Sequence, residues 1–385
     1  MNAIHTFELC APLTPSAYQL CRNKFFEHAK NHALPRCCYE DGSNVVCNYW
    51  NPDGITIYLH KGQEFSAIYF RINPSKLLYS RTKLEMYYDP ALGKFQRIDY
   101  LKPDALYFPC AHINEAIPFA FDKVLQELPI QIELDSLSLN RVDFCEDFLM
   151  PKSSVNAYLR VVRKSMCHPK WASDKFGDER DDYSVRQTSK RYKLTVYDKT
   201  YQMQNRFMCA EYDSDSRKLR VEAALLKEGI CHMCEKYRVP KGTWYDTLFT
   251  LLESGSWLLA DVLQKILPRG NYYTLAEAKK IIMASNYRHD RKIALIDFLT
   301  DINRNTLVSM YQLKRMKGGA LRVQQLAYLG INIVTIDNRR KIPFLPSLYA
   351  LIDPFGPYYA TKSVMYCSFD KNGNLMSTKT PPSIH

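Results

Sequence analysis

The sequence predicts an α+β protein: a mostly antiparallel sheet with helices on one face, followed by a smaller helical domain. Three observations carry that expectation. Short segments rich in β-branched and aromatic residues, split by Pro, Gly and Asn, fill much of the first half. Apolar residues recur at helical spacing after Thr243. Between these textures lies Val239-Pro240-Lys241-Gly242, which divides the 385 residues into 1–240 and 241–385, two domains of ordinary size.

Taken in order, Ile55–His60, Ala67–Ile72 and Lys83–Tyr88 read as strands, separated by Asn-Pro-Asp-Gly, Asn-Pro-Ser and Asp-Pro breakers. A helix is expected over Asn114–Leu128, where Phe121, Val124, Leu125 and Leu128 share a face, Asn114 caps, and Pro118 occupies the first turn. A strand over Leu139–Asp147 leads into a helix over Ser153–Met166. His168–Lys190 is densely charged and aperiodic, and reads as a mobile loop. Strands follow at Tyr192–Asp198 and Lys218–Ala224. The second domain reads as helices at Trp244–Ile266, Leu275–Ser285, Arg291–Asn303 and Leu321–Leu329, punctuated by Pro268-Arg269-Gly270 and Lys317-Gly318-Gly319. No short-period repeat is visible.

Apolar residues make up 46% of the chain, enough for a sizeable core. Against 40 acidic residues stand 52 basic ones, a net charge of +12 that favours a polyanionic partner. The excess concentrates in Lys241–Pro346, with 16 basic residues and 8 acidic. The apolar runs fall short of the ~20 residues a membrane helix needs, so no membrane partner is expected. Twelve irregularly spaced cysteines and no apolar leader fit a reducing cytoplasm.

Side chains alternate faces along a strand. Val142 and Phe144 therefore oppose Arg141, Asp143 and Cys145, and Leu219, Val221 and Ala223 oppose Arg220 and Glu222. Leu194 and Val196 likewise oppose Lys193, Thr195, Tyr197 and Lys199. If these strands share a sheet, one polar face gathers Asp143, Glu222, Arg141, Arg220, Tyr197 and Lys199, joined by Asp147 if the first strand stays regular. Carboxylates on neighbouring strands suit Mg²⁺ or Mn²⁺, a lysine beside a tyrosine favours the nucleophilic phenolate, and the arginines would hold phosphate or orient the carboxylates. The bland alternative is a sheet face laced with cross-strand ion pairs.

These residues, in this order, resemble the gene-II replication endonucleases of filamentous bacteriophages and related plasmid rolling-circle initiators. The matching stretches are Ile68-Tyr-Phe-Arg-Ile-Asn-Pro-Ser-Lys-Leu-Leu78, Leu139-Asn-Arg-Val-Asp-Phe144, Arg191-Tyr-Lys-Leu-Thr-Val-Tyr-Asp-Lys199, Leu219-Arg-Val-Glu-Ala223 and Leu326-Ala-Tyr-Leu-Gly-Ile331. The resemblance implies a rolling-circle-initiator-like nuclease domain in which a tyrosine attacks the origin, leaving a 5′-phosphotyrosine and a free 3′-hydroxyl. It places the nucleophile at Tyr197, its helper at Lys199, and the acidic residues at Asp143 and Glu222. Origin DNA, single-stranded or hairpin, with a host helicase and polymerase, are the implied partners.

Departures from that pattern are plain. No His-hydrophobic-His triplet occurs, so metal ligation would rest on carboxylates with at most a distant His60 or His112. Tyr201, four residues after Tyr197, would share its face only in a helix, and stays a reserve nucleophile. Cys231-His-Met-Cys234 is a lone pair without a second pair at zinc-binding spacing. Lys314, Arg315 and Lys317, before a helix, are candidates for phosphate contact, as is Lys193. With no phosphate-binding glycine loop, an NTP-driven motor is not expected. The rival to a nicking enzyme is a non-catalytic origin-binding or regulatory protein.

Overall fold

The computed structural model describes residues 3–31, 37–48, 50, 54–74, 77, 86–89, 94–97, 106–107, 113–165, 172–174, 183–202, 216–239, 242–253, 255–304, 313, 316–337, 342–352, 368–369 and 375–377. It is a mixed α+β protein dominated by antiparallel strand pairing.

Strand β1 (Ala3–Leu13) runs into α1 (Pro15–Asn31), followed by β2 (Cys38–Asp41), β3 (Asn44–Cys47), β4 (Ile55–Lys61) and β5 (Ser66–Ile72). Short strands β6 (Met86–Asp89), β7 (Lys94–Arg97) and β8 (Leu106–Tyr107) precede α2 (Ile113–Gln126). The second long strand, β9 (Ser138–Pro151), runs into α3 (Lys152–Ser165), and β10 (Ala172–Asp174), β11 (Ser184–Thr188), β12 (Tyr192–Asp198) and β13 (Ser216–Leu226) follow. Then come α4 (Lys227–Tyr237), α5 (Trp244–Glu253), α6 (Gly255–Ile266), β14 (Tyr272–Tyr273), α7 (Leu275–Ala284), α8 (His289–Arg304) and α9 (Gly319–Tyr328). Strand β15 (Phe344–Leu345), α10 (Leu348–Ile352), β16 (Ser368–Phe369) and β17 (Leu375–Ser377) close the described chain.

Two compact units emerge, both discontinuous in sequence: Met1–Cys145 with Ala224–Gly255, and Glu146–Ala223 with Ser256–His385. In the first, the strand order is β9-β1-β5-β4-β3-β2, and β8 also pairs with β1. Alternation is clean. Phe7, Leu9, Ile57, Leu59, Ile68, Phe70, Val142 and Phe144 are all completely buried, and α1 packs Tyr18, Cys21 and Phe25 against the sheet. Trp244 of α5 adds its ring to Phe7, with centroids 5.7 Å apart, and anchors its Nε1 on the Leu134 carbonyl at 3.0 Å.

In the second unit the order is β10-β11-β12-β13-β9. Helix α3 packs on β11 and β12 through Val155, Leu159 and Val162. Its buried Tyr158 donates to the Pro346 carbonyl at 2.9 Å and meets Tyr272 edge-on, which ties the C-terminal elements to it. Thr274 caps α7 by accepting from the Glu277 amide. Gly270, at φ +101°, has no room for a side chain: a Cβ would lie 2.5 Å from the Ile331 carbonyl carbon.

The two orders are the same once written from the first strand: first, fifth, fourth, third, second, with a helix between the first and second. The fold thus contains one β-α-β-β-β-β topology twice, a long-range repeat that no short-period search would reveal.

Most expected elements appear within a few residues of their predicted ends. Three expectations need correction. The 168–190 stretch carries β10 and β11, paired antiparallel, where a loop was expected. The helix expected over Trp244–Ile266 is two helices, α5 and α6. Because α2 starts at Ile113, Pro118 falls beyond its first turn. Residues 83–85 of the third predicted strand lie outside the described residues. Among the described residues no helix is long and apolar enough to cross a membrane.

Candidate active site

In the second unit, β12 presents Tyr197 opposite Ser184 of β11. Its hydroxyl donates to Glu222 Oε2 on β13 at 3.3 Å. The phenol is only 6% exposed. The next residue ends the strand: the buried Asp198 carboxylate accepts from the Tyr201 amide at 2.9 Å and from Arg217 Nη1 at 2.7 Å. A helical turn over residues 199–202 follows. Lys199 therefore starts that turn, with its Nζ 3.2 Å from Gln202 Oε1, and does not continue the strand face of Tyr197. Tyr201 lies against the Tyr183 ring, centroids 4.7 Å apart.

Beside this pair, Arg220 grips Asp147 with two parallel bonds, Nε to Oδ1 and Nη2 to Oδ2, each 2.6 Å. The guanidinium is completely buried. Lys218 Nζ stands 3.7 Å from the same carboxylate. Bidentate pairing of this kind is among the strongest polar contacts available and fixes both partners.

The first unit builds a comparable polar face. Asp143 accepts from Arg141 at 2.6 and 2.9 Å and from Thr6 Oγ1 at 2.5 Å. Two residues along β1 from Thr6, the buried Glu8 accepts from Asn140 Nδ2 at 2.6 Å and from Arg71 Nη2 at 3.1 Å. The Tyr58 hydroxyl also bonds Glu8. Burial, and then that carboxylate, hold the Tyr58 phenol well above the ordinary tyrosine range, with Arg71 opposing. Tyr58 and Tyr69 stack at 4.7 Å with nearly parallel rings.

Of the residues singled out from the sequence, the structure joins Tyr197 with Glu222, Arg220 with Asp147, and Arg141 with Asp143. Asp143 belongs to the other unit from Tyr197, Glu222 and Asp147. Lys193 is half-buried on β12, Lys317 is exposed before α9, and His60 Nδ1 sits 2.8 Å from Asn44 Oδ1. Lys314, Arg315 and His112 lie outside the described residues. Arg220 corrects the expectation of a phosphate contact. With no exposed surface and both its fork nitrogens on Asp147, it orients a carboxylate, the other of the two roles open to it. Among the described residues no group of three or more His, Cys, Asp and Glu gathers as a metal site, the Cys231–Cys234 pair on α4 included.

Sequence reading missed Glu8, Arg71 and Asp198. Glu8 had a usable signal, an acid alternating with Phe7 and Leu9 in a β-type run. Asp198 had none, because it follows the buried positions Leu194 and Val196 and so reads as the end of an apolar face.

Fold and site together define an α+β protein built on antiparallel sheets, with a phenol–carboxylate pair and several arginine–carboxylate pairs on polar faces. No protein-family model matches the chain, and no curated protein matches it.

Proposed function

We propose that the chain is a DNA-nicking and strand-transferring endonuclease of the rolling-circle type, with Tyr197 as nucleophile. The observation that supports it is the Tyr197–Glu222 hydrogen bond of 3.3 Å. A phenol attacks phosphorus only after losing its proton, and an adjacent carboxylate is a general base already in reach. In the proposed step Glu222 takes the proton and Tyr197 Oη bonds to phosphorus. The P–O3′ bond breaks, and the departing oxygen takes up a proton to become a free 3′-hydroxyl. One phosphoester replaces another, so the reverse reaction can rejoin ends. Lys199, on the following turn, and Tyr201, beside the Tyr183 ring, are the helper and reserve nucleophile of this reading. The phenol is nearly buried, so a scissile phosphate reaches it only when neighbouring side chains move.

Mg²⁺ or Mn²⁺ belongs to this reading, with carboxylates as ligands. The donors as arranged do not fit such an ion: Arg220 holds both oxygens of Asp147, and Arg141 both of Asp143. The proton transfer proposed above runs through Glu222. Origin DNA, a host helicase and a polymerase are the corresponding partners, with the basic 241–385 region, including Lys314, Arg315 and Lys317, as accessory DNA contact.

The same ion pairs favour a second reading, an origin-binding protein without catalysis. The two part in one experiment: supercoiled plasmid carrying the replicon that encodes the chain, with Mg²⁺, Mn²⁺ or EDTA. The enzyme yields a nicked circle with protein on its 5′ end, and Tyr197→Phe abolishes the adduct while Tyr201→Phe retains it. An undiminished adduct in Tyr197→Phe removes that residue from its role. Salt-sensitive binding with no nick under any condition supports the binder, its affinity falling with a slope of about 0.9 per phosphate contact.

A further inference from the structure

The repeated topology places an arginine on the fifth strand and an acid on the first strand of each unit, yet only one of those arginines meets solvent. Arg220 is completely buried, whereas the side chain of Arg71 is 48% exposed and makes a single longer bond to Glu8. Around Arg71 lies the polar face of the first unit, and its make-up is unusual. One row of paired residues crosses four strands as Tyr39, Val46, Tyr58 and Tyr69. Tyr39 is 45% exposed, and Phe65, in the turn between β4 and β5, is 58% exposed. His60 bridges the two aromatic groups, 6.0 Å from Phe65 and 6.5 Å from Tyr69. The Arg71 guanidinium lies over the Tyr58 ring at 5.6 Å.

We propose that this face binds single-stranded DNA, with bases on Tyr39 and Phe65 and a phosphate on Arg71. The stacked Tyr58–Tyr69 pair shares a row with Tyr39 and adjoins His60, a stiff floor that lowers the ordering cost of binding. The acids beside Arg71 are turned inward: Glu8 and Asp143 have side chains only 5% and 4% exposed, each held by arginine. Solvent therefore meets Arg71, with the exposed Asp41, two residues along from Tyr39, and Glu64 in the turn as nearby counter-charges. Cations are few and aromatic rings several, so stacking outweighs charge. That selects a single strand, whose bases offer their faces, over a duplex, whose bases do not. The surface lies within one unit and does not depend on cleavage by Tyr197.

The test is anisotropy of labelled oligo-dT in EDTA, where nothing is cut. Phe65→Ala and Tyr39→Ala are each expected to weaken binding about ten-fold. Arg71→Ala should weaken it about three-fold and lower the salt slope by about 0.7, one phosphate contact on a single strand. Leu20→Ala, which trims a side chain 54% exposed on α1, should leave oligo-dT binding unchanged. A closed duplex hairpin should bind Phe65→Ala and wild type alike. Wild-type affinity in a Phe65→Ala, Tyr39→Ala double variant that melts normally would overturn the proposal. Tyr197→Phe should still bind oligo-dT, so failure of the platform and failure of the nicking reading are read separately.

Discussion

Two arginines in topologically matching strands make opposite use of the same chemistry. Arg220 donates two 2.6 Å bonds to Asp147 in a site closed to water, whereas Arg71 donates one 3.1 Å bond to Glu8 and keeps half its side chain in solvent. Each acid is itself largely shielded, with side chains 9% and 5% exposed, so the difference lies in the arginine. A buried guanidinium has exchanged its hydration for contacts inside the protein and presents no surface to a ligand. An exposed one, in a high-dielectric setting, gives up little when a phosphate replaces or joins its partner. What separates framework from binding surface is burial, with residue type and strand position held constant.

The comparison breaks most readily at Asp147. Asp147→Ala takes the carboxylate from a completely buried guanidinium, for which the expected loss is about 3–5 kcal/mol of folding stability. Urea unfolding at pH 7 measures it. A loss below about 1 kcal/mol would mean that the second unit's pair is no more structural than the first unit's. A double change, Asp147→Leu with Arg220→Met, should recover much of the loss, because an apolar pair needs no counter-charge.

Arg71→Ala is the matching cut in the first unit and should be far milder, about 1 kcal/mol or less after solvent screening. Glu8 keeps its bonds from Asn140 and Tyr58 in that variant. Comparable losses at Asp147 and Arg71, by the same urea titration, would erase the contrast drawn between the two units.

Why the sequence revealed some of this and not the rest follows from what alternation encodes. Strands β4, β5, β9, β12 and β13 were legible because apolar residues on one face mark both the strand and its core side. Strand β11 was not, since its buried positions are Val185 and Gln187, and a buried amide does not register as apolar. Lys199 was misplaced for a local reason: Asp198 caps a turn and ends the strand one residue early. The Tyr197–Glu222 meeting followed from facing residues on two strands, once those strands were assumed to be neighbours. Arg220's burial could not be read, because Arg-x-Glu looks the same on an open face as on a closed one, and its partner lies 73 positions away. The repeat was hidden for the same reason, as what the two copies share is strand order, which only long-range pairing reveals.

The smallest effect concerns Tyr58, which has no counterpart in the Asp147–Arg220 pair. Its folded-state phenol is held above the unfolded value of about 10 by burial and by Glu8. A group whose folded value is raised lends stability that is complete below the unfolded value and lost as pH climbs through and beyond it. Between pH 8 and pH 10 this group's share of the loss is about 0.4 kcal/mol, because only the unfolded chain ionises there. Tyr58→Phe forfeits its hydroxyl bond to Glu8, costing about 1 kcal/mol at pH 8, but should then lose less stability than wild type on going to pH 10. Urea midpoints at both pH values test this. If the wild-type decline is no steeper than the variant's, Tyr58 ionises as easily folded as unfolded, and the first unit's polar face is wetter than its hydrogen bonds imply. That outcome would weaken the picture of Tyr58 and Tyr69 as a dry, stiff floor while leaving the exposed Arg71 untouched.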